Sequence, residues 1–289
     1  MLCCVAQMNS KKDVTTNLRE AEQLIEKASK KDVKLLVLPE MFACLGVANQ
    51  YEMAASRFTE KDVLATLAGW SKKYQMYLVA GSMPMTSTNT EEMNQANKVH
   101  AACLVFSPQG KQIASYNKIH LFDVDVADEK GSYKESDTFI AGQSPEVAEI
   151  GDIKLGLTIC YDLRFPELFQ YYMAENCQIM TVPSAFTYQT GKAHWEVLLR
   201  ARAIENQCYV VGANQGGVHT ANRRTWGHSI IVDPWGDTLG MLDQGPSVLV
   251  REIEIHYLRQ LRGNMPIQQH KAFSVINSVN MSEKDGVSE

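Results

Sequence analysis

The chain has no excess of basic charge: 28 Lys and Arg stand against 33 Asp and Glu over 289 residues, a formal charge of −5. No stretch gathers enough basic side chains to follow a phosphate backbone, so nucleic acid is not an expected partner. Nor does any uninterrupted apolar run approach the roughly 18 residues that a membrane-spanning helix needs. The opening MLCCVAQMNS lacks a basic leading segment, a long apolar stretch and a small-residue cleavage site. A cytoplasmic protein that does not enter a membrane is therefore expected.

Cysteine pairing is also missing. Cys3, Cys4, Cys44, Cys103, Cys160, Cys177 and Cys208 are odd in number and irregularly spaced, without a C-x-x-C pair. That pattern fits neither a disulfide framework nor a zinc site, and it suits a reducing compartment. Most of these thiols sit in apolar runs such as AACLVF, where cysteine usually behaves as a small buried hydrophobe. Glycine-rich phosphate loops, the G-x-S-x-G turn of serine hydrolases and histidine pairs at metal-ligand spacing are absent as well. No cofactor and no metal are expected.

What is present is an alternation of short apolar runs with helical stripes. VAQMN reads as a strand, and Asp13 to Lys30 as an amphipathic helix with Leu18, Ala21, Leu24, Ile25 and Ala28 on one face. VKLLVL (33–38) is apolar on both faces, as a strand covered on each side would be, and it stops at Pro39 and Glu40. A helix starting at a capping-box-like Thr59 and Asp62 leads to the strand YLVAGS. KVHAACLVFSP and QIASYN, joined by Pro108-Gln109-Gly110-Lys111, read as a hairpin. Residues 117–145 show little periodicity and are expected to be a functional loop. Strand IKLGLTIC (153–160), a helix from Pro166, strand QIMTVPSAF, a helix from about Gly191 to Gln207 and strand CYVVGANQ follow. HSIIVD and TLGML form a second hairpin, followed by strand VLVREIEI and the helical HYLRQLR. With no linker between the two halves, a single α/β domain over 1–273 is expected, with two packed mixed sheets and outer helices. Residues 274–289 read as a polar tail.

Glu40, Lys118 and Cys160 stand out because each lies just past an apolar strand, where α/β sheets present ligand-binding groups. Singly, each has a bland reading: a solvated acid, a surface lysine, a core thiol. Together they supply a nucleophile, its proton acceptor and a cation for a developing oxyanion. A thiol with a pKa of about 8.5 needs such help to attack at neutral pH. A carboxylate walled in by strands is suited to take the thiol proton and return it to a leaving amine. A papain-like cysteine-histidine pair would need a local histidine signature, and none of the seven histidines has one.

LPE (38–40), NKIHLFD (117–123) and ICYDLRFPEL (159–168) resemble the motifs of the nitrilase superfamily of carbon-nitrogen hydrolases. The resemblance continues through VPSAFTYQTGKAHWEVLLRARAIENQCYVVGANQ and WGHSIIVDPWG, covering residues 3 to 270 in the family's order. It implies an α-β-β-α sandwich with Glu40 as general base, Lys118 as oxyanion donor, Cys160 as nucleophile and the Tyr161 backbone N–H completing the oxyanion hole. It also implies a second active-site acid at Glu135 in YKES (133–136), acting on Lys118 or assisting proton transfer. The nucleophile is followed by Tyr161-Asp162, neither the Trp-Glu of true nitrilases nor the His-Asp of aliphatic amidases. CYDLRFPE and GKAHWEVLLRARA instead resemble the branch holding deaminated glutathione amidases and omega-amidases.

The resemblance thus implies an amidase acting on a small oxo-acid amide, deaminated glutathione ahead of 2-oxoglutaramate, and a homodimer or larger assembly. A catalytically silent interaction module of the same fold is the alternative. Such a substrate is anionic, so Arg164, four residues past Cys160, is expected to receive a carboxylate unless Asp162 and Glu167 engage it as a brace. Lys192 is the next candidate for that role. Phe186 and Thr187 are expected as walls of the site, and His194 and Trp195 as packing residues near a helix start.

Overall fold

A computed structural model describes residues 1–46, 57–87, 98–126 and 131–273. The first half runs β1 (Leu2–Gln7), α1 (Val14–Ser29), β2 (Leu35–Val37), α2 (Arg57–Tyr74), β3 (Tyr77–Val79), β4 (Met83–Met85), β5 (His100–Phe106) and β6 (Gln112–Asn117). A small ribbon follows, β7 (Asp123–Asp125) with β8 (Ser132–Lys134). The second half holds β9 (Val147–Ile150), β10 (Ile153–Leu157), α3 (Pro166–Ala174), β11 (Ile179–Ser184), α4 (Tyr188–Asn206) and β12 (Tyr209–Asn214). A second ribbon, β13 (Gly216–Thr220) with β14 (Arg223–Trp226), precedes β15 (Ile230–Val232), β16 (Thr238–Met241), β17 (Ser247–Glu252) and α5 (Ile255–Asn264).

These strands form two mixed sheets. In the first, β17, β1, β2 and β3 lie side by side, β3 and β4 share one edge of β5, and β6 takes the other. The second has the order β16-β15-β12-β11-β10-β9. The period of two along β1 explains the layering. Cys3 and Val5 join Leu35, Val37, Leu155, Leu157 and Val211 in a core between the sheets. Cys4 and Ala6 face outward with Leu36, Leu38 and Leu78, onto Ala21, Leu24 and Ile25 of α1 and Leu67 and Trp70 of α2. On the far side, Phe169 and Tyr172 of α3 and Trp195 and Leu199 of α4 cover the second sheet. The result is the expected α-β-β-α sandwich. Each fully buried aliphatic side chain contributes roughly 1.5–3 kcal/mol, which is why β2 is apolar on both faces. All seven cysteines are buried thiols. Among the described residues no helix is long and apolar enough to cross a membrane.

Several boundaries differ from the sequence expectation. The helix expected from Asp13 to Lys30 spans Val14–Ser29, with Asp13 as its cap accepting from the Thr16 N–H at 2.7 Å, and α2 starts at Arg57, so Thr59 lies inside the helix rather than at its cap. The strand expected over 153–160 ends at Leu157, and α4 begins at Tyr188, which puts His194 and Trp195 in its second turn. Within 117–145 the chain forms the β7–β8 ribbon instead of a plain loop. The polar tail lies outside the described residues.

Candidate active site

The first catalytic candidate arises where β2 runs out. Gly81, at φ +46, packs against Pro39 so closely that a Cβ there would stand 1.9 Å from the Pro39 carbonyl oxygen. No side chain can occupy that position without displacing the Glu40 backbone. From the second sheet, Gln215 Nε2 donates to the Glu40 carbonyl at 3.1 Å. Glu40 is thus buried and held from both sheets.

Lys118 follows β6 and is fully buried. Its Nζ lies 2.8 Å from Glu40 Oε1 and 2.8 and 3.1 Å from the two oxygens of Glu135. Glu135 opens a short 3-10 turn (Glu135–Asp137) after β8 and also accepts from the Phe122 N–H at 2.9 Å. Burial by itself would discharge the ammonium. The fields of Glu135 and Glu40 outweigh that penalty and hold Lys118 protonated, well above the ordinary lysine value.

Cys160 sits three residues past β10 at the start of a 3-10 turn (Cys160–Arg164), in the left-handed region at φ 50. Non-glycine residues adopt that conformation only when their surroundings enforce it. Asp162 supplies the enforcement. Its buried carboxylate accepts from the Ile159 N–H at 2.8 Å, the Tyr116 hydroxyl at 2.8 Å and the His120 N–H at 3.1 Å, and meets His120 Nδ1 at 2.7 Å. Tyr116 and His120 flank Lys118, so one carboxylate ties the cysteine turn to the lysine segment. Burial pushes the Cys160 thiol well above its ordinary value; Glu40 adds to the shift, while Lys118 and the Ala185 backbone oppose it. At rest the group is a thiol and needs a base.

Glu40, Glu135 and Cys160 all line one cleft with about 390 Å³ of open space, and Tyr161, Arg164, Phe186 and Thr187 line it too. With Lys118 joined to Glu40 and Glu135 behind the cleft wall, the structure brings together all of the expected site residues except Lys192. Arg164 does not brace its own turn through Asp162, whose oxygens are engaged elsewhere, and no carboxylate among the described residues pairs with it. Its guanidinium lies 5.9 Å from the Tyr161 ring centre and 5.5 Å from that of Phe186, with His194 Nδ1 at 3.2–3.3 Å. Lys192 is exposed on α4 and does not line the cleft. Trp195 is fully buried and donates through Nε1 to the His228 carbonyl at 2.8 Å.

The chain is similar to known proteins over nearly its whole length. A family profile described as carbon-nitrogen hydrolase matches residues 3–263. The chain is a carbon-nitrogen hydrolase. It is 42% identical over 279 residues to the deaminated glutathione amidase of Synechocystis, covering 94% of this chain and 98% of that one. To the omega-amidase NIT2 of Danio rerio it is 36% identical over 277 residues, covering 95% and 96%. Among solved structures, Nit3 of Saccharomyces cerevisiae superposes with a TM-score of 0.81 at 28% identity, covering 94% of this chain and 97% of that one. An amidase from Nesterenkonia sp. AN1 superposes with a TM-score of 0.75 at 26% identity, covering 93% and 99%; it is a glutamate-to-glutamine variant whose active-site cysteine has undergone Michael addition of acrylamide. The hydrolase described here is an amidase with the nitrilase fold.

Sequence reasoning missed part of this hydrolase's site. Phe122, Tyr133, Asn222, Arg223 and Lys12 also line the cleft. The linking role of Asp162 was invisible because its partners Tyr116 and His120 lie 46 and 42 residues away.

Proposed function

We propose that this hydrolase cleaves the amide of a small oxo-acid amide, deaminated glutathione in first place, through a thioester on Cys160. The 2.8 Å contact between Lys118 and Glu40, beside a buried thiol at the wall of an open cleft, carries the reading. Glu40 takes the Cys160 proton as sulfur attacks the carbonyl carbon. The oxyanion is held by Lys118 and the Tyr161 N–H: an ammonium has three N–H bonds, and one serves the substrate when Glu40 takes one and the two oxygens of Glu135 share another. Losing one such donor typically costs about 2.7–4 kcal/mol of transition-state stabilisation. Glu40 then gives its proton to the departing amine, and a water that it deprotonates releases the acid and the thiol. Glu135 keeps Lys118 charged and aimed. The active site belongs to a single domain over 1–273, and no cofactor takes part.

The identity to an omega-amidase supports a second reading, hydrolysis of 2-oxoglutaramate. Comparing kcat/KM for the two substrates on one purified sample decides. A clear preference for deaminated glutathione is expected, the reverse preference would establish the omega-amidase reading, and no turnover of either would favour a silent scaffold.

The Arg164 guanidinium, lacking a protein carboxylate, is suited to receive that of the substrate. Arg164→Lys keeps the charge but removes the planar fork. The kcat/KM for an oxo-acid amide should fall roughly tenfold or more, in keeping with the 1.5–3 kcal/mol of a charged hydrogen bond, and that for a neutral amide should fall less. Equal losses on both would make Arg164 a structural brace.

A homodimer or larger assembly is supported by α4, which exposes Val197 at 68% and Ile204 at 45%, with Trp235 exposed at 55% in the turn beside Ile204. Light scattering at micromolar concentration should return at least twice the mass of one chain; a monomer mass would refute it. The buried thiols support a cytoplasmic location.

A further inference from the structure

The charged residues lining the cleft are Lys12, Lys134, Arg164 and Arg223 against Glu40 and Glu135, an inversion of the net negative charge of the whole chain. Both acids are already engaged by Lys118. Two guanidiniums stand at the ends of a continuous row of rings along this wall. Arg164 lies over Tyr161, Tyr161 meets Phe122 edge-on at 5.0 Å, Phe122 meets Tyr133 at 5.2 Å, and Arg223 lies 5.6 Å from the Tyr133 ring centre. The rings hold the two cations apart without neutralising either.

Arg223 is the less satisfied of the two. Its Nε is buried without a hydrogen-bond partner, and no carboxylate among the described residues pairs with its guanidinium. Buried donors left open in this way call for an explanation, and a ligand is one. The nearby His219 cannot serve as its counterpart. Burial, with a smaller contribution from Arg223, pulls that imidazole down to about 4, and its nitrogens are occupied by the Ser10 carbonyl at 2.8 Å and Thr225 Oγ1 at 2.6 Å. Lys12 and Asn222 line the same cleft and add donors.

We propose that Arg223, with Lys12 and Asn222, forms a second anion subsite that holds a carboxylate on the leaving-amine side of the substrate. The inference rests on the reading that Cys160 attacks the amide and Arg164 receives the acyl-side carboxylate. It makes the cleft selective for amides with an anionic group on each side of the scissile bond. Deaminated glutathione has both, the oxo-acid carboxylate and that of its terminal glycine. 2-Oxoglutaramate releases ammonia and has nothing to place at Arg223.

The test compares deaminated glutathione with its glycine carboxamide and with 2-oxoglutaramate, using wild-type protein and Arg223→Gln. In the wild type the carboxamide should be at least tenfold poorer in kcat/KM, mainly through KM. In Arg223→Gln that disadvantage should largely vanish, and the preference for deaminated glutathione over 2-oxoglutaramate should fall about tenfold. A carboxamide disadvantage that persists in the variant, or a preference ratio that does not move, overturns the subsite. If the variant does not fold, the wild type decides alone: equal kcat/KM for carboxylate and carboxamide overturns it. Failure of the underlying reading looks different, because the wild type would then turn over neither glutathione-derived amide.

Discussion

Cys160→Ala is expected to abolish turnover, a loss on the order of 10³-fold or more, while the protein folds as before. The thiol is only 9% exposed and adjoins the core, but the substitution removes one sulfur atom, and the strained backbone at φ 50 is held by Asp162 rather than by the cysteine side chain. Cys160→Ser should fail as well, since a hydroxyl in this buried site is a far weaker acid than a thiol. The measurement is steady-state amide hydrolysis by protein expressed in a host free of the wild-type enzyme, with circular dichroism as the folding control. A tenth of the wild-type rate in the alanine variant would remove Cys160 as nucleophile.

Glu40→Gln should slow acyl-enzyme formation by roughly 10²–10⁴-fold. The amide has the carboxylate's shape and can still meet Lys118, but it cannot accept the thiol proton. Burial and the neighbouring acids hold Cys160 in its thiol form, and Glu135, the other carboxylate of the described cleft, is already engaged by Lys118 and the Phe122 N–H. Lys118 keeps Glu135 at 2.8 Å and should remain charged, so the loss reports the base rather than the cation. Intact mass spectrometry after rapid mixing with a saturated amide separates the outcomes. Prompt accumulation of an acyl adduct on the variant would assign activation of Cys160 to another group.

Much of this site was legible because its chemistry lies at the ends of strands whose apolar character marks them in the sequence. Glu40 follows VKLLVL, Lys118 follows a hairpin announced by Pro108 and Gly110, and Cys160 follows IKLGL. Layering was legible for the same reason, since strands apolar on both faces must be covered on both. Short strands escaped notice: β4 is three residues long and β9 four, too few to establish a period. Arg223 was also missed, as it lies on a two-stranded ribbon whose register shifts next to it, between Val218 and Thr220. Asp162 could be read only as a neighbour of Cys160, because a carboxylate that joins segments from two sheets leaves no local pattern.

The burial of the cysteines has a bearing on oxidative damage. Cys3, Cys4, Cys103, Cys177 and Cys208 have no exposed surface and Cys44 has 1%, and burial pushes all six thiols well above their ordinary acidity range. None of the six lines the cleft. A peroxide entering with or instead of substrate therefore meets a single thiol, with the thioether of Met41 on the same wall. A sulfenic acid formed on Cys160 has no resolving thiol beside it, so it must be reduced by a small external thiol or proceed to the irreversible sulfinic acid. Loss of activity to oxidants should therefore follow oxidation of Cys160 alone among the thiols, with recovery set by the thiol supply of the surroundings.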